Sequence, residues 1–237
     1  MAGRAFDRTR TRLDVECAGE ANPNANGPVL SVEFGTVDVL ATLGRTLGFS
    51  FAAGVNLYAT VALLGLATRY QWVQLPEQFR VFDSNWVIGL AIGLYVVEFI
   101  ADKIPWVDSV WDAVHTAIRP AGAALIAVAS IGDASPVLQV VAALLGVAFG
   151  SSSHLAKAGT RVAANTSPEP FTNWALSLAE DGFVVALGLL ALKYPLAAAA
   201  VAITGVVVIV LSARWLLRRM RARFRGAQAR SDAGTFT

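Results

Sequence analysis

Charge is scarce in this chain. Asp, Glu, Lys and Arg together make up 15% of 237 residues, where a soluble domain carries roughly a quarter. There is one cysteine, Cys17, in a polar N-terminal stretch, which excludes an intramolecular disulfide and a cysteine-based metal cage. Only two histidines occur, His115 and His154, without ligand-type spacing, so a zinc site has little to build on. No glycine-rich phosphate loop or Walker motif is present, which argues against an ATP-driven pump and leaves no cofactor to assign. No apolar core of a secretory signal precedes residue 30. The net charge of +2 is no nucleic-acid footprint, because the excess sits at the C-terminus, where juxtamembrane anchoring explains it better.

What the chain has in abundance is apolar residues, 55% of the total, with a mean hydropathy of +0.55. They come in long blocks, the pattern of an all-α polytopic membrane protein. Residues 1–36, with A-N-P-N-A-N-G-P, read as a disordered or dispensable tail. Residues 37–213 read as the helical membrane domain, and 214–237 as a basic tail. Within the middle region, Val37–Leu47 is amphipathic. Leu47–Ala67 is free of charge and long enough to cross a ~30 Å hydrocarbon core at 1.5 Å per residue. A second span is expected over Trp86–Ala101. Beyond Pro105, the segment carrying Asp108, Asp112 and His115 opposite Val107, Val110, Trp111 and Val114 reads as an interfacial helix or a span wall facing water. Pro120 is suited to open a new helix, with Ala121–Ile131 either continuing from near Val110 or forming a re-entrant half-helix. Spans are expected again at Val137–Ser153, Phe171–Leu192 and Leu196–Ala213. That gives about six spanning or re-entrant helices. Thr172, Asn173 and Trp174 look like the capped, interface-anchored start of the fifth.

Seven arginines in 214–230 place the C-terminus in the cytoplasm of a plasma-membrane protein. Six crossings would return the N-terminus to the same side, with Lys103, Arg119, Lys157 and Arg161 in cytoplasmic loops and Arg69, Arg80 and Lys193 outside. S-N-W (84–86) and T-N-W (172–174) open two of the spans, and Thr68-Arg69 and Thr160-Arg161 follow two others. These echoes leave open a duplication into two inverted three-helix halves.

Function is sought in the ionisable groups of these blocks. Glu98 and Asp102 are four residues apart, as are Asp108 and Asp112, so each pair shares a helix face and must be neutralised by protons, a basic partner or a cation. Glu180 and Asp181 lie in mid-span, where each costs at least ~2.5 kcal/mol on the most lenient scale. Either they pair internally, with Lys157 or Arg161, or they form a proton- or cation-coupled site. His154 and Lys157 share a face beside G-S-S-S (150–153), a stretch suited to close packing or to an unwound, water-lined segment. Asn56, among small residues, needs a partner helix or a substrate. Ser151–Ser153 next to His154 lacks a nucleophile elbow, so hydrolysis ranks last and the chain is expected not to be an enzyme. The sharpest expectation is that Glu98 or Asp102 shares the bundle interior with Glu180 or Asp181 and with His154 or Lys157.

The phrases EFIADKIPWVDSVWDAVHTAIRPAGA (98–123), AAGVNLY (52–58), NTSPEPFTNW (165–174) and SLAED (177–181) resemble a bacterial integral-membrane family known as domain of unknown function 4126. The resemblance covers about residues 45–215. It implies a multispanning membrane protein and supplies no activity, so no catalytic residue is carried over. The long N-terminal tail departs from the compact form of that family, and structure is expected to begin after it. Two functional expectations follow from the residues: a transporter or channel for a small solute or ion, or a membrane scaffold, and in either case a homo-oligomer is compatible with stripes such as AAAAVAITG (197–205).

Overall fold

A computed structural model describes residues 33–166 and 170–234. The N-terminal tail and Cys17 lie outside the described residues, apart from its last four positions. Seven α-helices form the fold: α1 (Glu33–Val55), α2 (Leu57–Arg69), α3 (Asn85–Ala101), α4 (Pro105–Ile131), α5 (Pro136–Asn165), α6 (Pro170–Lys193) and α7 (Pro195–Gly234), with a short 3-10 turn at Glu77–Asp83 before α3. The described residues contain no strand. Proline opens four of the helices, at 105, 136, 170 and 195. There its missing N–H costs nothing and its fixed φ suits the first turn. Gly132, with φ of +65°, ends α4 in a conformation that favours glycine.

Helices α4, α5, α6 and α7 are each long and apolar enough to cross a membrane. α3 is shorter, 17 residues, and meets the 3-10 turn at a 63° bend. It runs from the level of the α4–α5 turn, where Gln78 of the 3-10 turn hydrogen-bonds Asp133 at 2.7 Å, to the start of α4. We read it as a fifth crossing.

The stretch Leu47–Ala67 does not cross, contrary to expectation. Helix α1 descends to Val55, the chain breaks at Asn56, and α2 climbs back the way α1 came. Three contacts fix the direction. Asn56 meets Asp181 on α6, Leu63 fills the space beside Gly188 seven residues further along the same helix, and Phe79, just past α2, packs on Phe49 of α1 with ring centroids 6.2 Å apart. The break has a local cause. Asn56 is extended (φ −146°, ψ 102°), and its Oδ1 accepts the Ala59 N–H at 2.9 Å, capping α2. A hydropathy window registers the length of an apolar run and is blind to its direction, so two half-helices imitate one span.

Three further expectations are corrected. Pro120 lies inside α4 and starts nothing. In an apolar surround, ending the helix there would orphan several backbone groups, whereas the proline loses one bond. The polar stripe of α4 is turned inward: Asp108, Asp112 and His115 are buried while Val110 and Val114 are exposed, because acyl chains offer polar side chains no hydrogen bond. Thr172 is within α6 rather than capping it.

With one hairpin and five long helical passes among the described residues, the start of α1 and the C-terminal end of α7 lie at opposite ends of the bundle. α3 and α6 run in opposite directions, as do α4 and α7, but α5 is an unbroken helix with no counterpart to the α1–α2 hairpin. Around the hairpin the packing is close. A Cβ on Gly54 would strike Ser153 and the Gly150 carbonyl, and one on Gly146 would strike Ala123, Ala124 and Ala127. G-S-S-S therefore serves helix approach within a regular α5.

The hairpin is directly testable in a Cys17→Ser background with an impermeant maleimide. Cysteines at Leu40 and Gln74 should label from one face and a cysteine at Thr166 from the other. Labelling of positions 40 and 74 from opposite faces would restore a crossing.

Candidate functional site: a buried charge centre below the hairpin tip

Helices α4 and α5 lie side by side and antiparallel, each presenting a polar ladder at helical spacing. On α4 the rungs are Asp108, Asp112, His115 and Arg119; on α5 they are Ser153, His154, Lys157 and Arg161. All eight are buried. α3 adds Glu98 and, at its C-cap, Asp102, and α6 adds Glu180 and Asp181. On α4 the rungs recur every third or fourth residue, as do 154, 157 and 161 on α5 and 98 and 102 at the end of α3, so each set shares one helix face, and with Glu180 of α6 these faces meet in a common polar centre.

The three cations are heavily engaged. Arg119, fully buried, donates through Nη2 to Glu98 Oε1 at 2.8 Å, and its Nη1 is 3.2 Å from Asp112 Oδ1. Lys157 Nζ is 2.9 Å from Glu98 Oε1, 3.3 Å from Asp102 Oδ2 and 3.7 Å from Glu180 Oε2. Arg161 donates to Glu180 Oε2 at 2.6 Å, to Asp102 Oδ2 at 3.0 Å and to the Asp102 carbonyl at 2.8 Å. Glu180, whose side chain is 12% exposed, is the most accessible member.

The histidines close the network and their hydrogen bonds define their state. Arg119 Nη1 lies 2.8 Å from His154 Nδ1. A guanidinium only donates, so Nδ1 accepts, and His154 is the neutral tautomer whose Nε2–H points to Thr116 Oγ1 at 3.1 Å. His115 donates from Nδ1 to the Trp111 carbonyl at 2.7 Å, and its Nε2 faces the Tyr58 hydroxyl at 2.8 Å.

Asp181 stands apart from the cations. Its Oδ1 accepts from Asn56 Nδ2 at 3.2 Å and Tyr95 lies beside it. Asn56 thus caps α2 and ties the hairpin tip to α6 with one side chain. A cavity of about 270 Å³ opens between α1, α5 and α6. Phe51, Val55 and Phe183 make its apolar wall, while Ser153, Lys157 and Glu180 bring it to the charge centre. Among the described residues no group of three or more His, Cys, Asp or Glu side chains is arranged to hold a metal ion.

Of the residues singled out from sequence, Glu98, Asp102, Lys157 and Glu180 share direct ion pairs. His154 joins them through Arg119, and Asp181 and Asn56 pair beside them at the hairpin tip. Arg119, Lys157 and Arg161, counted by the charge bias as cytoplasmic loop residues, are all buried, and Lys157 and Arg161 are the internal partners that Glu180 requires. The signal that finds them is the continuing period: 108, 112, 115 and 119 on one helix, 154, 157 and 161 on the other. Asn173, expected at an interface, is buried and donates to Asn165 at 3.0 Å, which in turn donates to Asp108 at 2.9 Å.

Residues 43–215 match the family model described as Domain of unknown function (DUF4126). The chain belongs to that family. No curated protein and no solved structure matches it.

Asn56→Ala removes the α2 cap and leaves Asp181 without its amide donor. It should lower stability by about 1–2 kcal/mol, the range for losing such a cap, read as a reduced thermal midpoint in detergent. Asn56→Ser, which keeps a capping oxygen, should fall between. Equal midpoints for all three proteins would remove Asn56 from the account.

Proposed function

We propose that this DUF4126 membrane protein carries a small solute or ion across the bilayer, with Glu98, Asp102, His154, Lys157, Glu180, Asp181 and Asn56 along its path. The observation that carries the reading is the meeting of a re-entrant hairpin tip with a buried charge centre, through Asn56 and Asp181. Ionisable side chains at bilayer depth are expensive and face the interior where they have work to do. Helices broken at that depth expose backbone ends to a substrate or ion, as in secondary transporters. The adjoining cavity, about 270 Å³, is at the small end for a ligand pocket, which favours an ion or a small metabolite over a bulky substrate.

The polar ladder also has a direction. It begins near the α3–α4 corner, beside Asn165, and reaches Arg119 and His154. Past Arg119, α4 continues as Ala123, Ile126 and Ala127 packed against α5. A polar ladder that starts near one end of the bundle and stops against tight packing toward the other fits one half of an alternating-access cycle. The arginine-bearing end of α7 emerges at the end where the ladder starts, so by the positive-inside rule that side is assigned to the cytoplasm of the plasma membrane and the start of α1 to the outside. Ser153 donates to the Phe51 carbonyl at 2.7 Å while His154 is bonded to Arg119 and Thr116; this supports a protein that is not a hydrolase.

One observation favours a second reading, a membrane scaffold: Arg119, Lys157 and Arg161 are all bound by carboxylates, as structural ion pairs would be. Flux separates the two. In proteoliposomes given a pH step or a Na⁺ or K⁺ gradient, Glu180→Gln and Asp181→Asn should suppress movement seen with the parent while the protein stays folded. Unchanged flux in both variants rejects the path as drawn, and loss of folding alone favours the scaffold.

A further inference from the structure

The charge centre does not balance. Among the described residues the buried carboxylates are Glu98, Asp102, Asp108, Asp112 and Asp181, with Glu180 partly buried beside them, and the cations bound within this set are Arg119, Lys157 and Arg161. Lys103, half-buried at the α3–α4 corner, is the remaining nearby cation. Its Nζ donates to the Phe99 carbonyl at 2.7 Å and sits 3.0 Å from the Phe99 ring centroid. Carboxylates therefore outnumber cations even when Lys103 is included.

The excess is not spread evenly. Glu98, Asp102 and Glu180 each share two cations. Asp108 and Asp112, one turn apart on the inner face of α4, are the poorly served pair. Asp108 is fully buried; its Oδ2 accepts from Asn165, and its Oδ1 has no donor. Asp112 is 4% exposed. Its Oδ1 touches Arg119 at 3.2 Å without hydrogen-bond alignment, and its Oδ2 meets no donor. The charged groups around Asp112 are Glu98 on α3 and Asp102 just beyond it, Arg119 on α4 and Lys157 on α5, and His115 is its neighbour on the buried face of α4. Around Asp108 they are Asp102, Asp112 and Arg161, with the Asn165 amide. An ionised carboxylate so enclosed, beside a second one and facing two acids at the end of α3, lacks the donors that buried charge requires.

Three species could relieve this: a basic side chain, a metal ion or a proton. The nearby cations are shared among Glu98, Asp102 and Glu180, and the one that reaches the pair, Arg119 at 3.2 Å from Asp112, makes no hydrogen bond to it. No metal-holding group of side chains exists among the described residues. A proton needs no cage. We infer that the Asp108–Asp112 pair is a proton-binding site, with at least one of the two carboxyls held as the neutral acid in the state described here. A neutral carboxyl places its own O–H where the site has unpartnered oxygens, and it removes the like-charge repulsion along α4. Asp108 lies in the first turn of α4, next to exposed Ser109, so protons would enter from the face where that helix begins and pass inward to Asp112 and Arg119. The site extends the proposed transport function by naming the proton as its coupling ion, yet its existence does not depend on transport.

Infrared difference spectroscopy of the purified full-length protein in lipid nanodiscs tests this without any flux. At neutral pH the parent should show the C=O stretch of a protonated carboxyl that shifts in D₂O. Asp112→Asn and Asp108→Asn should each diminish it, and the double variant should abolish it, while Asp83→Asn at the surface leaves it intact. Should the asparagine variants fail to fold, Asp108→Glu, which keeps the acid, should retain the band at a shifted frequency. Absence of the band in the parent, or its persistence unchanged in the double variant, would overturn the site. A band without flux in the parent keeps the proton site and sinks the transporter; flux without a band does the reverse.

Discussion

The structure is organised around three buried cations, none of which can be removed alone without stranding a buried carboxylate. Arg119, Lys157 and Arg161 come from two adjacent helices, and their carboxylate partners come from α3, α4 and α6. Each pair is therefore also a tie between helices, in an environment where water cannot compete for the charges. Hydrophobic burial supplies little force between helices that already sit in lipid. The apolar side chains of α3, α5 and α7 are widely exposed to the surround, while the polar atoms converge inside. The fold is thus an inverted version of a soluble bundle, organised by electrostatics and by close approach at glycine and alanine.

The hairpin depends on the same centre. A helix broken at bilayer depth leaves backbone groups unpaired, and each must be satisfied internally. Asn56 caps α2 and Ser153 of α5 donates to the Phe51 carbonyl near the end of α1. The groups that stabilise the break are thus neighbours of those that bind the cations.

Much of this was legible from residue type alone. Glu98, Asp102, Lys157, Glu180 and Asp181 stood out because charge inside an apolar run demands a partner, and four of them do share ion pairs. What stayed hidden had physical reasons. Arg119 precedes a proline and so resembles a loop cation, although it continues a 3.6-residue period begun by Asp108, Asp112 and His115; Arg161, which follows a threonine, reads both as a loop cation and as the internal partner of Glu180 that it is. The hairpin was hidden because hydrophobicity carries no direction. The inward turn of the α4 stripe was misread because amphipathicity says which residues share a face, while the solvent decides where that face points. Lipid reverses the choice that water would make.

At the centre of the fold, Lys157 and Glu98 are bound to each other in the buried interior. A double-mutant cycle measures this most directly, using unfolding free energies of the parent, Lys157→Met, Glu98→Gln and the double variant. Removing the lysine alone leaves buried carboxylates exposed to one another and should cost about 3–5 kcal/mol. The double variant should recover part of that loss, giving a coupling energy well above the additive limit. Additivity within about 0.5 kcal/mol, as found for independent sites, would contradict the account.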